Sequence, residues 1–132
     1  MEAEKAFARA RAPRFLRRWM SSCRDACRQL AVFDEACRTA VAGTLRGAHE
    51  VPLDAIRGTV EPNRASAFDG SFRPRAQTRC RWLRVWRAER EGAALPPISV
   101  VRVGDHFAVR DGHHRVSVAK ASGRTMIRAV IA

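Results

Sequence analysis

The residues best equipped for chemistry sit together near the C-terminus, in the run 109–120, VRDGHHRVSVAK. An aspartate and a glycine precede two histidines and an arginine, and a small apolar stretch follows. Three chemistries compete for this pattern. Paired imidazoles ligate metals, an arginine beside open backbone N–H groups holds phosphate, and a carboxylate orients or activates a hydroxyl. Adjacent helical histidines point about 100° apart and seldom share one ion. His49 and His106 are distant in sequence. A metal centre is therefore not expected.

The local order favours phosphate. A β-branched stretch ends at Arg110, Asp111-Gly112 makes a turn, and residues 113–122 read as a short helix stopped by Gly123. The first N–H groups of such a helix lack internal partners and carry the positive end of its dipole. Gly112 has no side chain to keep an anion off the backbone, and Arg115 offers a planar fork. Gly112, His113, His114 and Arg115 thus form a candidate phosphate cradle. Asp111, just before the helix, has a capping role as its structural reading. No G-x-x-x-x-G-K-[ST] pattern occurs, so this is not a P-loop.

The elements around this run follow from periodicity. Residues 1–48 read as helical. Ala3, Ala6, Phe7 and Ala10 make a first stripe, and Pro13 can start a second helix. Phe15, Leu16, Trp19, Met20, Cys23, Cys27 and Leu30 recur at spacings of 3 and 4, and Phe33, Cys37, Ala40 and Val41 continue the stripe towards Gly43. Arg14, Arg17, Arg18, Arg24 and Arg28 fill the other faces. Residues 49–56 read as a short strand and turn, with Pro52 at an edge position. Residues 57–75 carry Gly58, Pro62, Asn63, Gly70 and Pro74 and read as a long, functional loop. A helix over 77–91 follows, with Trp82, Leu83 and Trp86 as its core stripe and arginines elsewhere. Residues 98–103 and 106–110 form a hairpin about Gly104-Asp105, and residues 126–131 a closing strand.

The chain has 132 residues, enough for one compact domain with an appendage, and a formal net charge of +12. Of its 25 lysines and arginines only Lys5 and Lys120 are lysine. That balance points to polyanionic partners, nucleic acid and nucleotides among them. Arg79, Arg84 and Arg87 are the candidate nucleic-acid contacts, since tryptophans among arginines can also stack on bases. No apolar run is long enough for a membrane span, and the N-terminus lacks a secretory core, so a cytoplasmic protein is expected. Cys23, Cys27, Cys37 and Cys80 include no C-x-x-C pair and are expected as buried thiols.

The segment PPISVVRVGDHFAVRDGHHRVSVAKASGRTMIRAVI resembles the ParB/sulfiredoxin-like superfamily, and VPLDAIRGTVEPNR is similar to its opening strand and loop. The resemblance spans residues 50–131. It implies an α+β fold, a small mixed sheet with packed helices, preceded by a helical extension over 1–48. The nucleotide-binding domain would be 49–132. It also implies that Gly112, His113, His114 and Arg115 bind the phosphates of a nucleotide (CTP, ATP or ADP), with Mg²⁺ as the accompanying ion. His113 stands where sulfiredoxins carry their reactive cysteine, so sulfiredoxin chemistry is not expected. The sequence stops just after the closing strand, with no room for the helix-turn-helix domain of ParB proteins, so their clamp mechanism is not expected either. A third branch of the superfamily is similar to free-serine kinases. That likeness implies Asp111 as the group orienting the substrate hydroxyl and Glu61 as general base.

Three functions follow as expectations. The first is a nucleotide-binding, DNA-associated regulatory protein. The second is a phosphotransferase or nucleotide hydrolase of the same fold. The third is a partner-binding module docking through residues 1–45, for which a homodimer is one form.

Overall fold

The computed structural model describes residues 2–11, 29–37, 39 and 47–132. Within them six strands form one mixed sheet: β1 Ala31–Val32, β2 Ala48–Pro52, β3 Ile56–Thr59, β4 Ile98–Val103, β5 His106–Asp111 and β6 Met126–Ile131, in the order β1-β3-β5-β4-β6-β2. The helices are α1 Glu2–Arg11, α2 Pro62–Ala65, α3 Arg79–Arg90 and α4 His113–Ala121. This is the α+β architecture the sequence implies. The β4–β5 hairpin is antiparallel, β3 runs parallel to β5, and β6 runs parallel to β4. Strand β2 closes one edge by pairing only with β6, which is why Pro52, lacking an N–H, is tolerated there.

Alternation in the central strands splits the core in two. Ile98, Val100 and Val109 face Val116 and Ala119 of α4, while Val101 and Ala108 face the other side with Val60 and Phe33. Helix α4 is apolar on a second side as well. There Val118 meets Trp82 and Leu83 of α3, and Ala3, Ala6 and Phe7 of α1 complete the cluster. Trp82 is fully buried and its indole N–H donates to Ser117 Oγ at 2.9 Å. The tryptophans therefore serve the core, as expected, with Trp86 half-buried beneath the Arg90 guanidinium. Exposed ion pairs from Arg79 to Glu4 and from Arg90 to Glu2 flank this packing and add little beside it.

Three expectations are corrected. Residues 57–75 are not one loop, because Ile56–Thr59 forms β3, paired between β1 and β5, and Pro62–Ala65 forms α2. A four-residue strand holding Arg57 and Gly58 shows no alternation. Yet Gly58 is required: a Cβ there would lie 2.4 Å from the Ala31 carbonyl oxygen of the neighbouring strand. The helical reading holds for 2–11 but fails at 31–37, where Ala31–Val32 pairs with β3, Phe33 N–H donates to Thr59 O at 2.8 Å, and Glu35–Cys37 forms a 3₁₀ turn. Leu30, Phe33 and Cys37 fit helical spacing, but sheet pairing at the edge wins. Cys80 is exposed on α3 rather than buried. The rest of the expected stripe, Phe15, Leu16, Trp19, Met20, Cys23, Cys27, Ala40 and Val41, lies outside the described residues. So do Pro13, Arg14, Arg17, Arg18, Arg24, Arg28 and Gly43.

Candidate functional site

The turn from β5 into α4 opens on a cleft of about 380 Å³. Its lining joins Glu61 and Arg64 of the β3–α2 region, Arg81 and Arg84 of α3, Arg110 and Asp111 at the end of β5, and Gly112, His113, His114 and Arg115. Glu61 is thus brought beside a motif fifty positions away in the chain. The link is the Thr59 hydroxyl. It accepts the Glu61 N–H at 2.9 Å, lies 2.6 Å from His113 Nε2 and donates to the Val109 carbonyl at 3.1 Å. With the hydroxyl proton on Val109, a neutral His113 protonated at Nε2 completes the network.

Gly112 takes φ +107°, a conformation that side-chain-bearing residues rarely adopt. It opens α4 without any side-chain cap, so Asp111 does not act as one. A Cβ on Gly112 would fall 2.4 Å from Ile98 Cγ2 and 3.1 Å from the Arg115 guanidinium. Asp111, an exposed residue at the end of β5, accepts instead from Arg115 at 3.3 Å. Arg115 also donates to the Pro96 carbonyl and is largely buried.

His113 is 4% exposed, and its ring stacks over Phe68 with centroids 6.4 Å apart. His114 meets the same phenyl ring edge-on at 5.2 Å. Burial is the main cause that lowers the His113 pKa to about 4, with the nearby charges of Arg64 and His114 adding to it. His114 is likewise lowered to about 4 by burial, then by Arg81 and Arg64. Both imidazoles are neutral at pH 7, so the positive charge of the cleft comes from arginine.

That arginine set is larger than the motif alone. Arg110 pairs with Glu35 and Arg115 with Asp111. Among the described residues, no ion pair ties up Arg64, Arg81 or Arg84. Of the expected nucleic-acid contacts, Arg84 lines this cleft, Arg79 is held by Glu4 of α1, and Arg87 is exposed outside it. Arg64, Arg81 and Arg110 were not singled out from the sequence. The signal available was the three-residue spacing of Arg81 and Arg84, which places them on one helix face.

No protein-family model and no curated relative matches the chain. A solved structure similar to it is that of sulfiredoxin from Arabidopsis thaliana, with 22% identity, a TM-score of 0.49, and coverage of 66% of this chain and 85% of that one. That likeness assigns neither a family nor an activity here. Among the described residues no helix is long and apolar enough to cross a membrane.

Proposed function

We propose that this chain binds a nucleotide through its phosphates in the cleft at the start of α4. One observation carries the reading: five arginines and only two carboxylates, Glu61 and Asp111, surround the N-terminal turn of a helix. Helix N–H groups and guanidinium forks are the donors that phosphate oxygens take. A volume of about 380 Å³ falls within the range of small-ligand sites. Gly112, with Ile98 packed where a Cβ would stand, sets the turn that starts α4, and His114 adds a neutral imidazole at the wall. His113, held by Thr59, fixes the turn. Arg64, Arg81 and Arg84 meet the outer phosphates. In this reading the binding unit is 49–132, with β1 added to its sheet edge, and 1–48 precedes it.

Mg²⁺ fits the donor set, since it takes one or two carboxylates together with phosphate oxygens. Glu61 and Asp111 are the residues that would hold it, and its chemistry would be neutralisation of phosphate charge. The same two carboxylates in one cleft favour a second reading, phosphoryl transfer to a small hydroxyl. Glu61 would take the hydroxyl proton and Asp111 would orient the oxygen. DNA association, and with it a regulatory role, rests in this proposal on the exposed arginines of α3, Arg87 first.

Calorimetric titration with CTP, ATP and ADP, each with and without Mg²⁺, tests the reading. At least one nucleotide should bind, and Arg81→Ala and Arg84→Ala should each weaken it about tenfold. Binding that neither substitution changes removes the assignment. For the second reading, Glu61→Gln should abolish transfer from nucleotide to an amino-acid hydroxyl while leaving the Mg²⁺-free nucleotide affinity in place.

A further inference from the structure

The cleft at the start of α4 is rich in groups that recognise phosphate and poor in groups that recognise a base. Val85 is the one apolar side chain in its lining, and no phenyl or indole ring lines it. Its cations, by contrast, do not stop at its mouth. Arg84 lines the cleft, and Arg87, three positions on, is exposed on α3 outside it. With Arg81 they form a row at three-residue spacing, about 5–6 Å apart at Cβ. All three are exposed, and none is in an ion pair among the described residues. The helix itself supplies no counter-charge to the first two. Positions three and four away from Arg81 hold Gln77, Thr78, Arg84 and Val85, and those from Arg84 hold Cys80, Arg81, Arg87 and Ala88. Glu89 is turned to Arg124 at 3.6 Å, and Glu91, four beyond Arg87, ends the row. Arg64 of α2 adds a fourth guanidinium outside these ion pairs, within the cleft.

We propose that the ligand of this cleft is the phosphorylated end of a single nucleic-acid strand. The terminal phosphate sits among Arg64, Arg81 and Arg84, and the next phosphodiesters follow α3 outward to Arg87. This rests on the phosphate reading of the cleft and makes the nucleotide bound there the last unit of a chain. One row of cations on one helix tracks one backbone, which suits a single strand better than a duplex. The row is spaced more widely than phosphates that share a bridging oxygen, so inorganic polyphosphate fits less well. Trp86 is half-buried beneath the Arg90 guanidinium rather than open to a base. Binding is therefore charge-driven and indifferent to base sequence.

The test is fluorescence anisotropy of the full chain with labelled decathymidylate carrying a phosphate at its 5′ end, at its 3′ end, or at neither. One of the two phosphorylated strands should bind about tenfold tighter than the hydroxyl-ended strand, and free nucleotide should compete with it. Arg64→Ala should erase that preference for a phosphorylated end. Arg87→Ala should weaken the strand more than the free nucleotide and lower the salt slope by about one. Equal affinity for phosphate and hydroxyl ends, an end preference that survives Arg64→Ala, or tighter binding of inorganic polyphosphate of equal phosphate number would overturn the proposal. Calorimetric nucleotide binding that persists beside such a result overturns the strand alone, whereas the absence of both removes the phosphate reading with it.

Discussion

Lowering the pH from 7 to 5 should cost the fold about 2 kcal/mol through His113. The imidazole has an ordinary pKa of 6.5 and is lowered to about 4 in the folded protein by burial against Phe68 and Thr59, with Arg64 and His114 pushing the same way and Asp111 opposing. A base held neutral by the fold leaves the unfolded chain binding more protons between these two values. Stability is therefore full above about 6.5 and drains as the pH falls towards 4. From 6.5 to 5 the loss spans one and a half pH steps, at about 1.4 kcal/mol each. His114 acts in the same direction. The assay is urea unfolding at pH 7, 6 and 5 for the parent and for His113→Gln, whose amide can still face Thr59. Groups titrating elsewhere cancel in the comparison. The variant should show a shallower dependence, by about 2 kcal/mol over this range. Parallel curves, or an NMR midpoint for His113 above pH 6, would refute the reasoning.

Other expectations follow from single contacts. Gly112→Ala forces a Cβ into Ile98 at φ +107° and should cost about 2–4 kcal/mol, read as a lower urea midpoint; an unchanged midpoint contradicts the packing described. Thr59→Val strands the buried His113 Nε2 and the Glu61 N–H and should cost about 1–3 kcal/mol. It should also weaken nucleotide binding by loosening both walls of the cleft, and unaltered stability would count against the network. Phe7→Ala removes the ring set edge-on to Trp82 at 5.5 Å and should release α1. Tryptophan emission should then shift to the red, and an unshifted spectrum would mean that α1 stays docked without it. Binding to duplex DNA, if carried by Arg87 and its neighbours, should appear at low salt and fall steeply as salt rises; a flat response rejects that contact.

Much of the architecture was legible because it rests on local signals. The hairpin about Gly104, the strand-turn-helix at 109–121, the edge position of Pro52 and the core role of Trp82 each follow from turn chemistry or periodicity within a short window. What failed depends on distant partners. Strand β3 is defined by β1 and β5 on its two sides, and neither is near it in sequence. Residues 31–32 carry helix-compatible spacing, and only the open edge of β3 makes them a strand. Cys80 is exposed on α3, two positions from the fully buried Trp82, and which face of that helix is covered is decided by the elements packed on it.

The DGHHR run by itself determined a strand-turn-helix junction, since a glycine at a strand end, the N–H groups of a helix start and a nearby arginine are all local properties. The tertiary structure decided how each member is used. His113 turns inward to Thr59, and Arg115 is drawn onto Asp111 and the Pro96 carbonyl. The charge facing the cleft is supplied instead by Arg64, Arg81 and Arg84, which arrive from α2 and α3. The physical reason is range. A helix start organises its own N–H groups within one turn, but an electrostatic cleft is the sum of side chains delivered by separate elements, and only the packing of α3 on α4 and the course of β3 bring those charges together.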